Sequence, residues 1–153
     1  MKRILASSLL AAGLSGCASL SSRDEASIDF DKETGAVEAR IKEDQVRSVL
    51  GRLEASIADF YKTEKRIPKN LEQLVPKYLA EIPPVNLPAC GRETDKVQVY
   101  PADVLRGGRV DGARIQGTGR WGYVHNDSRV VIFVDCLKSS SRGIPWYQER
   151  GVY

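Results

Sequence analysis

Residues 46–61 read VRSVLGRLEASIADFY. Val46, Val49, Leu50, Leu53, Ile57, Phe60 and Tyr61 recur at steps of three and four, the spacing that lines one face of an α-helix. Glu38, Arg40, Lys42, Glu43, Arg47, Arg52, Glu54, Asp59 and Lys62 occupy much of the remaining surface. The spacing predicts a helix from about Gly35 to Arg66 whose apolar stripe packs on a sheet. A coiled-coil seam is the alternative, but the stripe is too short for sustained heptads. Pro68 ends the helix, because the residue before a proline is pushed out of the α region.

Downstream, a second and shorter helix is expected. Asn70 can cap it with Gln73 three residues on, as in a capping box, and Leu71, Leu74, Val75, Tyr78 and Leu79 keep helical spacing up to the interruption at Pro76. Pro83 and Pro84 then force extended chain. After Cys90 the period changes to two. Val97–Tyr100 is a candidate strand and Ala113–Gln116 a weaker one. Trp121–His125 and Arg129–Asp135 form the best pair, joined by the turn-forming Asn126-Asp127-Ser128. The run Val130-Val131-Ile132-Phe133-Val134 is apolar on both faces and reads as a central, buried strand. The order of elements gives an α+β fold, one long helix followed by a small antiparallel sheet.

Upstream, the chain opens MKRILASSLLAAGLSGC. Lys2 and Arg3 make a basic start, and Ile4 to Leu14 make an apolar stretch too short for the ~20 residues a membrane span needs. This pattern reads as a signal peptide over residues 1–16. Leu14-Ser15-Gly16-Cys17 resembles the lipobox of bacterial lipoproteins, which implies that Cys17 takes the lipid and becomes the new amino terminus. Two or more acyl chains there anchor a protein stably. Residues 17–34 then form the lipidated cysteine and a flexible tether, polar and without periodicity. Fully extended, Ala18 to Lys32 reaches roughly 50 Å at about 3.4 Å per residue. Ala18 stands where an aspartate would resemble the inner-membrane retention signal, so in a cell with two membranes the outer membrane, facing the periplasm, is favoured. No second run is long enough to span a membrane.

Cleavage lowers the net charge. The whole chain has 23 basic and 20 acidic residues; losing Lys2 and Arg3 leaves 21 against 20, net +1, which argues against nucleic acid as a partner. The mature 137 residues (153 less 16) suffice for one domain over 35–153. With Cys17 acylated, Cys90 and Cys136 are an even pair in an oxidising compartment and read as a disulfide. A chain-entropy model gives such a loop roughly 4 kcal/mol of stabilisation. A cysteine–histidine metal site would want more ligands than His125, which is near neither cysteine in sequence.

Residues 60–83, FYKTEKRIPKNLEQLVPKYLAEIP, resemble the segment that follows the long helix in type II secretion pseudopilins and type IV pilins. The matching positions are Tyr61, Pro68, Leu71, Leu74, Val75, Pro76, Tyr78, Leu79, Ile82 and Pro83. Gly119-Arg120-Trp121-Gly122-Tyr123 before a hairpin is similar to a strand of those domains, and Arg142 to Tyr147 is more weakly similar to their C-termini. The resemblance covers about residues 36–147 with a divergent middle. It implies a pilin-like domain, a helix laid across an antiparallel sheet. The chain departs from the family at its start, where Gly16-Cys17 and a polar tether stand in place of the prepilin cleavage site and long apolar helix that filament subunits carry. Some family members bind calcium in a sheet loop; Asp103, Asp111 and Asp127 are the nearest candidates here, but they are isolated in sequence and read as solvated loop residues.

Catalytic motifs are absent: there is no Gly-x-Ser-x-Gly, phosphate loop or His-Glu-x-x-His. Gly107-Gly108 and Gly117-x-Gly119 lack the lysine or following helix that phosphate binding needs. The expectation is a non-enzyme without metal or cofactor, tied to the membrane through Cys17 and acting by protein contacts with a secretion or pilus-like machine. The alternative is an envelope binding module for peptide, polymer or DNA, built on Trp121, Tyr123, Arg120, Trp146 and Tyr147, with Arg142 and Arg150 nearby; core packing of those aromatics is the plainer reading. If Cys17 carries the anchor, Cys17→Ser moves the protein from the membrane to the soluble fraction of lysed cells. Unchanged membrane retention of that variant contradicts lipidation at this residue.

Overall fold

The computed structural model describes residues 22–151, with side chains from Lys32 onward. Cys17 and the signal peptide lie outside the described residues. The chain divides into two compact units, residues 1–34 and 35–153, and the second holds the sheet and the core. Helix α1 spans Ser22–Glu64, so the backbone of residues 22–34 is helical where a tether without regular structure is expected. No proline interrupts residues 22–64, and a helix, once nucleated, lengthens at little cost per residue. At the other end α1 stops two residues before the expected Arg66. Lys65 adopts a left-handed φ of 55° and its N–H donates to the carbonyl of Tyr61 at 3.0 Å, an αL-type helix stop.

Asn70 caps its element as expected, accepting from Gln73 N at 3.2 Å. The element itself is only a four-residue 3-10 turn, Leu71–Leu74. Its reciprocal bond is displaced by one residue, since Gln73 Oε1 accepts from Lys69 N. Strands follow at Val97–Tyr100 (β1), Leu105–Arg106 (β2), Arg109–Val110 (β3), Trp121–His125 (β4) and Val130–Val134 (β5). Residues 113–116 form no strand; a 3-10 turn at Gly112–Arg114 takes their place.

The main sheet has the order β1-β4-β5. β4 and β5 pair antiparallel with Trp121 opposite Val134, but β1 pairs parallel to β4 with Val97 opposite Trp121. The sheet is therefore mixed rather than antiparallel. Parallel neighbours need a long connection, and residues 101–120 supply one containing the β2–β3 hairpin. That hairpin turns on Gly107 and Gly108, whose φ values of 57° and 80° are the two positive dihedrals of a type I′ turn.

β5 is also an edge strand and not the central one; β4 takes the centre. Both faces of β5 are nonetheless covered. On one face of the sheet Trp121, Tyr123, Ile132 and Val134 pack against Val46, Leu50, Leu53 and Phe60 of α1. On the other, Val124, Val131 and Phe133 pack with Tyr100, Val104, Val110 and Ile115, the last four from the connection and its flanks. The apolar run thus reports two buried faces, which an edge strand can also have when a third layer covers the sheet. Tyr61, expected in the helix stripe, is 55 % exposed, and Phe60 holds the buried place beside it.

Gly122 faces Phe133 across the β4–β5 ladder, and a β-carbon there would lie 2.3 Å from the Phe133 ring. The glycine leaves room for the ring to lie over the strand. Gly122→Ala must displace that ring and is expected to destabilise the domain by about 1–3 kcal/mol, read as a lower urea midpoint. An unchanged midpoint contradicts this packing.

Candidate functional site

Three features of the second unit combine polar chemistry with long-range contacts. The first joins α1 to the C-terminal segment. Arg47 lies on the buried face of α1 and is 1 % exposed. Its Nη1 donates to Asp44 Oδ1 at 2.8 Å, and its Nη2 donates to Glu43 Oε2 and Glu149 Oε1, each at 3.1 Å. The guanidinium also lies 5.1 Å from the centre of the Trp146 ring, in cation–π range. Glu43 in turn accepts from Ser141 N. Burial would raise the Glu43 pKa, but hydrogen bonds from Ser141 and Arg47 outweigh it and hold the carboxyl below its ordinary value. Burial likewise works against the charge on Arg47, and Glu149 and Glu43 more than compensate, raising its pKa. Arg47 Nε has no hydrogen-bond partner among the described residues.

The same segment crosses α1 where two glycines meet. A β-carbon on Gly151 would fall 2.2 Å from the Gly51 Cα. Glycine inside a helix costs roughly 0.5–1 kcal/mol relative to alanine, and close backbone approach is what Gly51 provides in return. The ion pairs and the glycine crossing together clamp the C-terminal segment to α1.

The second feature anchors the loop before β4. Asp135 is fully buried. Its carboxylate accepts from Gly117 N at 2.9 Å, Thr118 N at 3.0 Å and the Tyr100 hydroxyl at 2.8 Å. The Tyr100 oxygen accepts from Gln116 N at 2.9 Å. Burial pushes the Tyr100 pKa up to about 12; the Gln116 N–H opposes this and Asp135 adds to it. The neighbouring Cys136 is bonded to Cys90 with 5.6 Å between their Cα atoms, so the expected disulfide is present and ties the chain after Pro84 to the end of β5.

The third is the placement of the aromatics. Trp121 and Tyr123 are fully buried and Trp146 is 1 % exposed. Trp121 Nε1 donates to the Pro83 carbonyl at 2.7 Å, and the Tyr123 hydroxyl donates to the Pro68 carbonyl at 2.6 Å. Tyr147 is half-buried beside Gly112, whose β-carbon would lie 2.6 Å from its ring. Of Trp121, Tyr123, Arg120, Trp146 and Tyr147, expected together as an alternative binding surface, Arg120 alone is exposed. Trp121, Tyr123 and Trp146 are core residues, as the plainer reading has it, and present no exposed ring to a ligand.

Asp103 and Asp111, isolated in sequence, converge on the Arg114 guanidinium at 3.1 and 3.8 Å, and Asp111 also pairs with Arg106 at 2.9 Å. Arginine thus supplies the positive charge these carboxylates meet. Asp127 lies apart, exposed in the β4–β5 turn. His125 is half-buried at the end of β4, its ring 6.1 Å from that of Tyr123. Among the described residues no group of three or more His, Cys, Asp or Glu could hold a metal ion.

Exposed apolar side chains lie on α1 at Val37, Ile41 and Tyr61, and off it at Val75, Val99, Leu137 and Ile144. Residues 32–41 are exposed on every side of the helix, and within them Val37 and Ile41, one turn apart, are 56 % and 52 % exposed. Further along, Gln45, Ser48, Val49 and Arg52 face Pro83 and Pro84 across a depression of about 430 Å³. No helix among the described residues is long and apolar enough to cross a membrane.

Arg47→Ala leaves the buried Glu149 only the more distant, half-exposed Arg142 at 4.0 Å, and breaking a buried pair costs about 3–5 kcal/mol; urea denaturation reads the loss, and a change within error contradicts the clamp. The lowered Glu43 pKa adds a sign. Its contribution is present above the unfolded carboxylate range and is lost as pH falls through the folded value, so Glu43→Gln flattens the acid limb of stability against pH. No protein-family model matches this sequence, and no curated protein or solved structure matches it.

Proposed function

We propose that this chain is a lipid-anchored envelope protein whose pseudopilin-like domain acts through contacts with a type II secretion or type IV pilus-like machine. The observation that carries the reading is the joint presence in one sequence of the lipobox at Leu14 to Cys17 and the pilin-like segments 60–83 and 119–123. Those segments touch in the fold: the Tyr123 and Trp121 side chains bond the carbonyls of Pro68 and Pro83. Exposed Val37 and Ile41 on α1 give the domain apolar surface of the kind that protein partners cover.

Cys17 holds the protein to the outer membrane on its periplasmic side, and the domain works without catalysis or cofactor. It contacts or steadies a filament without entering the bundle, since a lipid at Cys17 takes the place of the apolar helix by which subunits assemble. Crosslinking a tagged copy in cells, followed by mass spectrometry of the membrane fraction, is expected to enrich pseudopilins, a secretin or their assembly proteins. Recovery of unrelated envelope proteins alone, with the secretion apparatus present in the input, sinks the reading.

A further inference from the structure

A second stripe runs along α1 on the side away from the core. Val37, Ile41, Gln45, Ser48 and Arg52 follow one another at steps of four, four, three and four, the spacing of one helix face. All five are exposed, while Val46, Leu50 and Leu53 are buried behind them. The two halves of the stripe have opposite shapes. The first half projects, because Val37 and Ile41 stand out into solvent. The second half is hollow: Gln45, Ser48, Val49 and Arg52 meet Pro83 and Pro84 around the depression of about 430 Å³. Val49 and the two prolines make its floor apolar.

Charge is divided in the same way. Glu38 stands beside the projecting half and Arg52 at the rim of the hollow one. Among the described residues neither makes an ion pair. The carboxylate on the same rim, Glu93, accepts from the Asn86 amide. Each half of the stripe thus has the shape and the charge that the other half lacks.

We propose that a second copy of this chain covers the stripe, its α1 antiparallel to the first, so that Ile41 of each copy enters the depression of the other and Glu38 of each meets Arg52 of the other. The register is consistent about Gln45. Glu38 lies seven residues before it and Arg52 seven after; Ile41 lies four before it and Val49 four after. Antiparallel helices crossing at Gln45 therefore set both pairs face to face. The two Gln45 amides meet on the axis, and each can donate and accept. Such a contact is isologous, one patch serving both copies, and it closes at two. A parallel pair would set Glu38 against Glu38 and Arg52 against Arg52. A few helical turns bury less than a standard interface, so the pair is weak in dilute solution. Two lipid anchors in one membrane confine the copies and raise their effective concentration. The inference goes beyond the secretion reading; it rests on the lipid anchor proposed above and on no contact with a secretion machine.

The test introduces one cysteine at a time into the full chain and treats membranes of the producing cells with a short bismaleimide. Cys90 and Cys136 are joined to each other and Cys17 carries the lipid, so the introduced thiol is the one that reacts. Gln45→Cys is expected to give a crosslinked dimer. Val37→Cys is expected to give none, because the two copies of residue 37 then lie sixteen residues of helix apart, roughly 24 Å at about 1.5 Å per residue. Glu38→Arg or Arg52→Glu, added to Gln45→Cys, is expected to lower the dimer yield about threefold or more, the scale of two rim ion pairs. Both exchanges together are expected to restore it. These side chains are exposed, so the variants keep the fold. A dimer from Val37→Cys as abundant as that from Gln45→Cys overturns the antiparallel arrangement, and a double exchange that restores nothing overturns the Glu38–Arg52 contact. Adducts of Gln45→Cys with other proteins alone assign the stripe to another occupant and overturn the proposal. Membrane-bound protein without adducts overturns the pairing and leaves the anchor standing; protein missing from the membrane fraction overturns the anchor, and the pairing with it.

Discussion

Trp121 and Tyr123 place two large rings on one face of the central strand, and each ring carries a polar tip that must find an acceptor when buried. The carbonyls of Pro83 and Pro68 meet that need. Leaving a buried donor without its partner costs about 1–3 kcal/mol, so the bonds fix where the chain after α1 must run. That path carries Leu71 and Leu74 into the core beside Phe60 and brings Val85 and Leu87 in behind them. The position of α1 over the sheet follows from the same two bonds, because its end is tied to the segment they hold. The disulfide fastens the far end of this path to β5.

Ionic contacts divide sharply by burial. Lys62–Asp59 and Lys96–Asp95 join exposed side chains, and pairs of that kind contribute about 0–1 kcal/mol. Arg47 and Glu149 are both almost wholly buried, where the pair matters chiefly through the penalty for breaking it. The clamp therefore fixes the C-terminal segment against α1 while adding little net stability over apolar packing. Its effect is on specificity of shape: the segment that bears Trp146 and Arg150 is fixed against the helix.

Local periodicity makes the helix legible, since seven apolar residues at steps of three and four leave few other readings. It also places β1 and β4 at their observed bounds. What escapes it depends on partners distant in sequence. Nothing in Val97–Tyr100 encodes whether its neighbour runs parallel, because that is decided by the connection through residues 101–120. The run Val130–Val134 reports two covered faces and says nothing about how many strands flank it. β2 and β3 are two residues long, too short for any period, although Gly107-Gly108 is an available turn signal. Arg47 sits among helix charges that look like a solvated face, and its buried partner Glu149 lies 102 positions away. The aromatics of the candidate surface are ambiguous for a related reason: Trp and Tyr suit a binding face and a hydrogen-bonded core equally, and only their partners Pro83 and Pro68 decide between the two.

A central strand buried on both faces and pinned by its aromatics to the proline segments has to be the last part of the domain to open. Native-state hydrogen exchange measures this directly, since amides that open only with global unfolding exchange most slowly. Slowest exchange is expected for the amides of Gly122 and Val124, which bond across the ladder to β5, and fast exchange for the fully exposed helical residues 32–41. Exchange at Gly122 and Val124 as fast as at those helical residues would contradict this picture, because the sheet could then open without releasing the core.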